Sequence, residues 1–302
     1  MNRKTIKPIL VIAALLVQVS IAGCQTNLKE FPILKGPYLG QTLPGKVPVR
    51  FVPDLIEGEA HESPSFFPDG KEFVINVMGG ATQLMYFTMT GETWSLSTPP
   101  FEIPKYLNGL FVSPDGQKLY MLVYENNREN FWVINKNGNG WMKPTSLGSV
   151  VNSLSPHWSF SVATNQNLYI GAQGSLYVSR YDGEKHTDPE KLPSPVNGST
   201  RASTPYIAPD ESYILFSRDE TAGASTTGLP FNDLFISYRL TTNSWSDPVI
   251  VGTEINTPNT YEMCPMVSPD GKYLFFIRKK PGLDFQIYWV KADFIQKLKT
   301  EL

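Results

Sequence analysis

The chain has 302 residues, with 26 Lys plus Arg against 28 Asp plus Glu, 25 Pro, 23 Gly and 12% aromatic residues. That charge balance gives no global field to hold nucleic acid, and a hydrophobic content of 41% excludes intrinsic disorder. Two cysteines, Cys24 and Cys264, cannot build a disulfide framework, and neither stands in the spacing of a metal site, so no metal or other cofactor is expected.

In chain order, Arg3, Lys4 and Lys7 form a positive start and Ile9 to Ala22 an apolar stretch too short for a permanent span, the layout of a cleavable secretory signal. It ends in Ile21-Ala22-Gly23-Cys24, which resembles the lipobox of bacterial lipoproteins. The resemblance implies cleavage before Cys24, a diacylglyceryl thioether on its sulfur and acylation of the new amino group. The bilayer is then a partner, since each buried methylene contributes about 0.8 kcal/mol. Gln25 rather than Asp after the cysteine implies, by the same resemblance, an outer-membrane lipoprotein of the cell envelope, on either its periplasmic or its surface face. Residues 1–23 read as signal peptide, 24–44 as a lipidated tether and 45–302 as one domain.

That domain is a repeat. SPSFFPDGKEFVI from Ser63 recurs as NGLFVSPDGQKLYML from Asn108, STPYIAPDESYILFS from Ser203 and CPMVSPDGKYLFFI from Cys264, with a degenerate copy, LSPHWSFSVATNQNLYI, from Leu154. Taking Pro68, Pro114, Phe160, Pro209 and Pro269 as equivalent gives spacings of 46, 46, 49 and 60 residues, the last enlarged by the small, polar run Thr221 to Gly228. Each unit reads as four short antiparallel strands. The first ends at Pro-Asp-Gly, where Pro presets φ, Asp caps the turn and Gly takes the left-handed position. Asx-turn capping accounts for Asp69, Asp115, Asp210 and Asp270 without calcium. A second strand rich in β-branched and aromatic residues follows, such as Tyr273 to Ile277. Pairs such as Leu176-Tyr177 and Leu234-Phe235 mark a third, and a Trp or charged turn with Pro marks a fourth at the edge.

Four strands per unit of about 46 residues is the blade of a β-propeller, an all-β fold. The motifs resemble the WD-like Pro-Asp propeller repeat of the TolB C-terminal domain and of many bacterial lipoproteins. Five repeat starts predict five blades, with six as the alternative. The fifth unit lacks its fourth strand, and Gly45 to Phe51 matches the missing pattern, so an N-terminal strand is expected to close the ring. Phe294, Ile295 and Leu298 stand at helical spacing and predict a short C-terminal helix on the last blade.

Residues just before each first strand should ring one mouth of the channel: His61, Glu62, Tyr106, Asn108, Asn152, Arg201, Tyr261 and Glu262. Such a mouth suits a small ligand or peptide, with Arg201 pairing an anionic group and the tyrosines stacking. Arg218 is expected to pair with Asp233. His157 reads as a packed residue and His186 as part of a solvated tip. No GxSxG elbow is present, and Glu62 with Glu262 is the carboxylate pair a glycosidase could use. No catalytic residue is assigned. Two functional classes stay open: a non-catalytic binding or scaffolding lipoprotein, expected to be a monomer with a protein, peptide or glycan partner, and a glycan-active or other hydrolase working at the mouth.

Overall fold

The computed structural model describes residues 31–56, 58–78, 83–155, 157–224 and 230–301. Cys24 and the signal segment lie outside them. Among the described residues the strands form four sheets, the last of which joins two antiparallel ladders through a single parallel bridge between Asn232 and Tyr261, so the ladders follow five repeat units. Unit I runs from an innermost strand in two pieces, Glu59–Ala60 and Ser65–Phe66, through Glu72–Met78 and Gln83–Thr90 to Thr93–Ser97. Unit II comprises Leu107–Val112, Lys118–Glu125, Arg128–Asn137 and the short outer pieces Gly140–Trp141 and Thr145–Ser146. Unit III comprises His157–Val162, Leu168–Ala172, Ser175–Ser179 and Glu190–Lys191. Unit IV comprises Ala202–Ile207, Tyr213–Ala224, Pro230–Thr241, and the outer pieces Ser244–Trp245 and Val249–Ile250. Unit V comprises Tyr261–Val267, Tyr273–Lys279 and Gln286–Lys291, completed by Val49–Arg50 from the N-terminal side.

The architecture is a β-propeller closed by an N-terminal strand. One cavity, of about 60 Å³, has Ser65, Val112, Val162, Tyr206 and Val267 in its lining, so the innermost strand of every unit contributes to it. Hydroxyls sew neighbouring innermost strands together: Val112 N–H donates to Ser65 Oγ at 2.9 Å, Ile207 N–H to Ser161 Oγ at 2.8 Å and Cys264 N–H to Thr204 Oγ1 at 3.0 Å. Ser63 Oγ joins units V and I by donating to the Cys264 carbonyl at 2.5 Å.

The first turn of every unit has one geometry, and it corrects the sequence alignment of unit III. The Asp69, Asp115, Asp210 and Asp270 carboxylates each accept the backbone N–H two residues on at 2.9–3.1 Å, and Asn165 does the same for Asn167. The residue equivalent to Pro68 is therefore Thr164 rather than Phe160, and the spacings become 46, 50, 45 and 60. Gln166 and Glu211 take the left-handed conformation (φ 68° and 60°) that Gly70, Gly116 and Gly271 adopt without cost. Glu211 has a use that glycine lacks. Its Oε1 accepts from Asn167 Nδ2 at 2.9 Å and Tyr169 Oη at 2.7 Å, and its other oxygen lies 3.5 Å from Arg239, so it ties unit III to unit IV.

Residues 34–41 belong to the propeller rather than to a tether. Leu34–Lys35 pairs with Thr93–Trp94 on the outer edge of unit I, and Trp94 Nε1 donates to the Gly36 carbonyl at 2.7 Å. Tyr38 then enters an aromatic cluster of Phe66, Tyr273, Phe275 and Trp289, with ring centroids 5.1–6.0 Å away. The C-terminal helix Phe294–Thr300 buries Ile295, whose carbonyl accepts from Tyr238 Oη at 2.5 Å, so it rests on unit IV as well as on the last blade. The insertion lengthens the second and third strands of unit IV to 12 residues each, and its tip, 225–229, lies outside the described residues. His186 is buried, with Nε2 3.0 Å from the Gln166 carbonyl, and so is not part of a solvated tip.

Candidate functional site at the channel mouth

The innermost strands run from the entrance loops toward the Pro-Asp turns, so the entrance loops share the opposite face. All five innermost strands break near this face. Ladder registers shift between Leu107 and Gly109, His157 and Ser159, Ser203 and Tyr206, and Met263 and Met266, while unit I is interrupted between Ala60 and Ser65. Such bulges re-aim side chains and free backbone groups next to a cavity.

Glu62 benefits most. Its carboxyl reaches from unit I across unit II, accepting from the Leu110 N–H and, in unit III, from the Ser159 hydroxyl. A Cβ on Gly109 would lie 2.9 Å from Oε1 and 3.0 Å from Oε2, so the carboxyl occupies space that only glycine leaves. Burial pushes the Glu62 carboxyl up to about 8, while those two hydrogen bonds pull the other way. Beside it lies a cavity of about 20 Å³, lined also by Ser63, Ser161 and Cys264. Burial, and then the Glu62 charge, push the Cys264 thiol up, so it is not an activated nucleophile.

His61 and Asn108 gather at the same seam. The Asn108 carbonyl accepts from Asn76 Nδ2 at 3.2 Å and is bonded to the His61 ring, whose pKa is lowered chiefly by burial. Tyr106 is 54% exposed on the rim, and its carbonyl accepts from the N–H of Tyr124, itself 42% exposed. These three sequence candidates, His61, Glu62 and Asn108, therefore converge, with Tyr106 on the rim above the same unit.

The others serve the framework. Asn152 is buried, accepts from Phe131 N–H at 2.6 Å and donates to Phe131 O at 3.4 Å. Asn197 grips Leu176 and Asn256 grips Leu234 in the same two-handed way, at 2.8–2.9 Å. Each clamp is an apolar-Asn pair, Val151-Asn152, Val196-Asn197 and Ile255-Asn256, a repeat signal that the sequence reading missed. Arg201 Nε lies 3.1 Å from Asp219, which also accepts from Asn232 at 2.6 Å. Tyr261 packs edge-on against Phe231 at 5.0 Å. Glu262 is fully buried: Oε1 accepts from Arg278 at 2.8 Å and Thr260 at 2.6 Å, and it does not border the cavity beside Glu62. Arg218 stands opposite Asp233 in register, but its NH2 group donates to the Pro195 and Val196 carbonyls at 2.9 and 2.6 Å. Arg278 holds the Ile255 carbonyl likewise at 2.5 Å.

Among the described residues no cluster of three or more His, Cys, Asp or Glu side chains is arranged to hold a metal ion, and no helix is long and apolar enough to cross a membrane.

No protein-family model matches the sequence, and no curated protein matches it. Solved structures do. A protein assigned as TolB from Agrobacterium tumefaciens superposes with a TM-score of 0.50 at 18% identity, covering 77% of each chain. TolB from Acinetobacter baumannii gives 0.51 at 12% identity over 76% of this chain and 56% of its own. An exo-β-1,3-galactanase from Phanerochaete chrysosporium gives 0.53 at 12% identity over 85% of this chain and 65% of its own. At these identities the likeness is one of fold: this chain carries a TolB-like β-propeller, an architecture shared with glycoside hydrolases.

Proposed function

We propose that the chain is a bacterial envelope lipoprotein, anchored through acylated Cys24, whose five-bladed propeller is a non-catalytic binding or scaffolding module for a protein, peptide or glycan partner. The observation that carries the reading is the disposition of carboxylates at the mouth. Glu62 borders the channel cavity, whereas Glu262, its expected partner, is enclosed and neutralised by Arg278. Two-carboxylate glycoside hydrolysis needs both groups facing one substrate about 5–9.5 Å apart. Structures of the same fold include both TolB proteins and a galactanase, so the fold alone favours neither class. A hydrolase reading draws on Glu62 alone, since a carboxyl held protonated at neutral pH is what a general acid requires.

Capture of partners from native envelope by the acylated protein tests the binding reading. Tyr106→Ala should reduce recovery of a specific partner while Glu62→Gln leaves no hydrolytic activity to lose. Turnover of a glycan by the wild type that vanishes in Glu62→Gln would overturn it.

A further inference from the structure

The mouth divides into two unlike halves. On units IV and V the charges answer one another: Arg201 faces Asp219 and Glu262 faces Arg278. The unmet atoms there, Glu262 Oε2 and Arg218 Nε, belong to groups already held by two or more hydrogen bonds. On units I to III Arg128 Nε repeats that pattern, its NH2 group donating to the Asn152 carbonyl, but other unmet atoms there are of another kind. His61 Nδ1, Asn76 Oδ1 and both ring nitrogens of His157 have no hydrogen-bond partner among the described residues, and Asn76 and His157 are 4% and 5% exposed. Buried polar atoms without partners are rare because each costs roughly 1–3 kcal/mol. His61 and Asn76 both meet the Asn108 carbonyl at the seam of units I and II, where bonding capacity is held ready, whereas the His157 ring packs on Phe131 at 4.4 Å, between units II and III.

Arg128 adds its charge to burial in lowering the pKa of His157, but the groups at the seam of units I and II are neutral: Glu62 is largely protonated at pH 7 and can then both donate and accept, His61 is held neutral by burial, and Asn76 and Asn108 are amides. On the rim of unit II stand Tyr106 and Tyr124, cross-strand neighbours with exposed rings, one face of Tyr106 lying under Lys105 Nζ at 5.1 Å. Neutral donor-acceptor groups beneath an aromatic rim do not suit an anion or a basic peptide. They suit a ligand with alternating hydroxyls and flat C–H faces. Building on the binding reading above, we propose that the seam of units I and II at the mouth is a saccharide subsite, with Tyr106 and Tyr124 stacking on a sugar ring and Glu62, His61, Asn76 and Asn108 bonding its hydroxyls.

The test is titration of the acylated full chain in detergent with neutral oligosaccharides, xylohexaose, cellohexaose and mannohexaose, against tri-lysine as a charged control. At least one sugar should bind at concentrations below about 10 mM. Tyr106→Ala and Asn108→Ala should each weaken that binding about tenfold at an unchanged melting temperature, and Arg201→Ala should leave it alone. Silence of all three sugars, or binding indifferent to Tyr106→Ala and Asn108→Ala, overturns the proposal. Specific capture of an envelope protein while the sugars stay silent would overturn it too, yet leave the binding-module reading standing.

Discussion

Val49 lies directly opposite Trp289 in an antiparallel ladder, with Arg50 opposite Tyr288, so the outer strand of the last blade comes from the beginning of the domain. Phe51 follows at once and packs between Phe73 of unit I and Phe275 and Trp289 of unit V, at centroid distances of 5.1–6.2 Å. Deleting residues 45–53 should expose the edge of Gln286–Lys291, which templates pairing with other chains. The expected outcome is aggregation on size-exclusion chromatography; a monomer of unchanged thermal stability would show the closure to be dispensable.

The asparagine clamps give a sharper stability prediction. Asn256 meets both the N–H and the carbonyl of Leu234 at 2.8 and 2.9 Å inside the core. Asn256→Ala strands two buried backbone groups and should cost about 2–4 kcal/mol. Urea unfolding should show a lower midpoint with an unchanged m value.

Tyr38 tests whether residues 34–41 belong to the fold. Tyr38→Ala removes a ring from a five-membered aromatic cluster and should cost about 2–4 kcal/mol. Tyr38→Phe loses one exposed hydrogen bond, to Asp270 at 3.0 Å, and should cost about 1 kcal/mol or less. Equal, negligible losses would mean that the arm merely rests on the surface.

The fold was legible because its signal is local. Pro-Asp-Gly needs only four adjacent residues to report a turn, and the period of that turn reports the blade. Unit III was misaligned because Asn165 and Gln166 perform the Asp and Gly roles with different side chains. The docked arm left no such trace. Its strand is two residues long, and Tyr38 is recognisable as a half-buried packing residue only once units I and V stand beside it. The mouth was half legible for the same reason: position along the innermost strand follows from the repeat, whereas Arg201 with Asp219 and Glu262 with Arg278 are pairings between strands that sequence spacing does not disclose.

The ionisable mouth residues set opposing pH dependences. Glu62 has a folded pKa of about 8, above its unfolded value, so it binds a proton more tightly when folded, and stability falls as pH rises from about 5 through 8. His157, lowered to about 4, acts in the other direction: stability falls as pH drops from about 6.5 to 4, because the unfolded chain takes up the proton first. Chemical denaturation from pH 4 to 9 should therefore show a maximum near pH 6. Glu62→Gln should flatten the alkaline limb and leave the acid limb in place.

The lipidation proposal has an independent check. Cys24→Ser should abolish incorporation of a fatty-acid analogue and leave an unprocessed precursor. Equal labelling of wild type and variant would refute the anchor.

The seam between units V and I imposes an order of events on biogenesis. Residues 34–51 supply the outer edge of unit I, the Tyr38 ring, the last strand of unit V and the Phe51 ring. The strand they must join, Gln286–Lys291, is the last strand of the propeller in sequence. A ring that needs both ends of its domain cannot close until the whole domain has been synthesised, and contacts so distant in sequence form slowly. The domain must therefore be synthesised in full before it can complete its fold. For a chain exported across a membrane in extended form, that delay would keep the native ring from assembling before translocation.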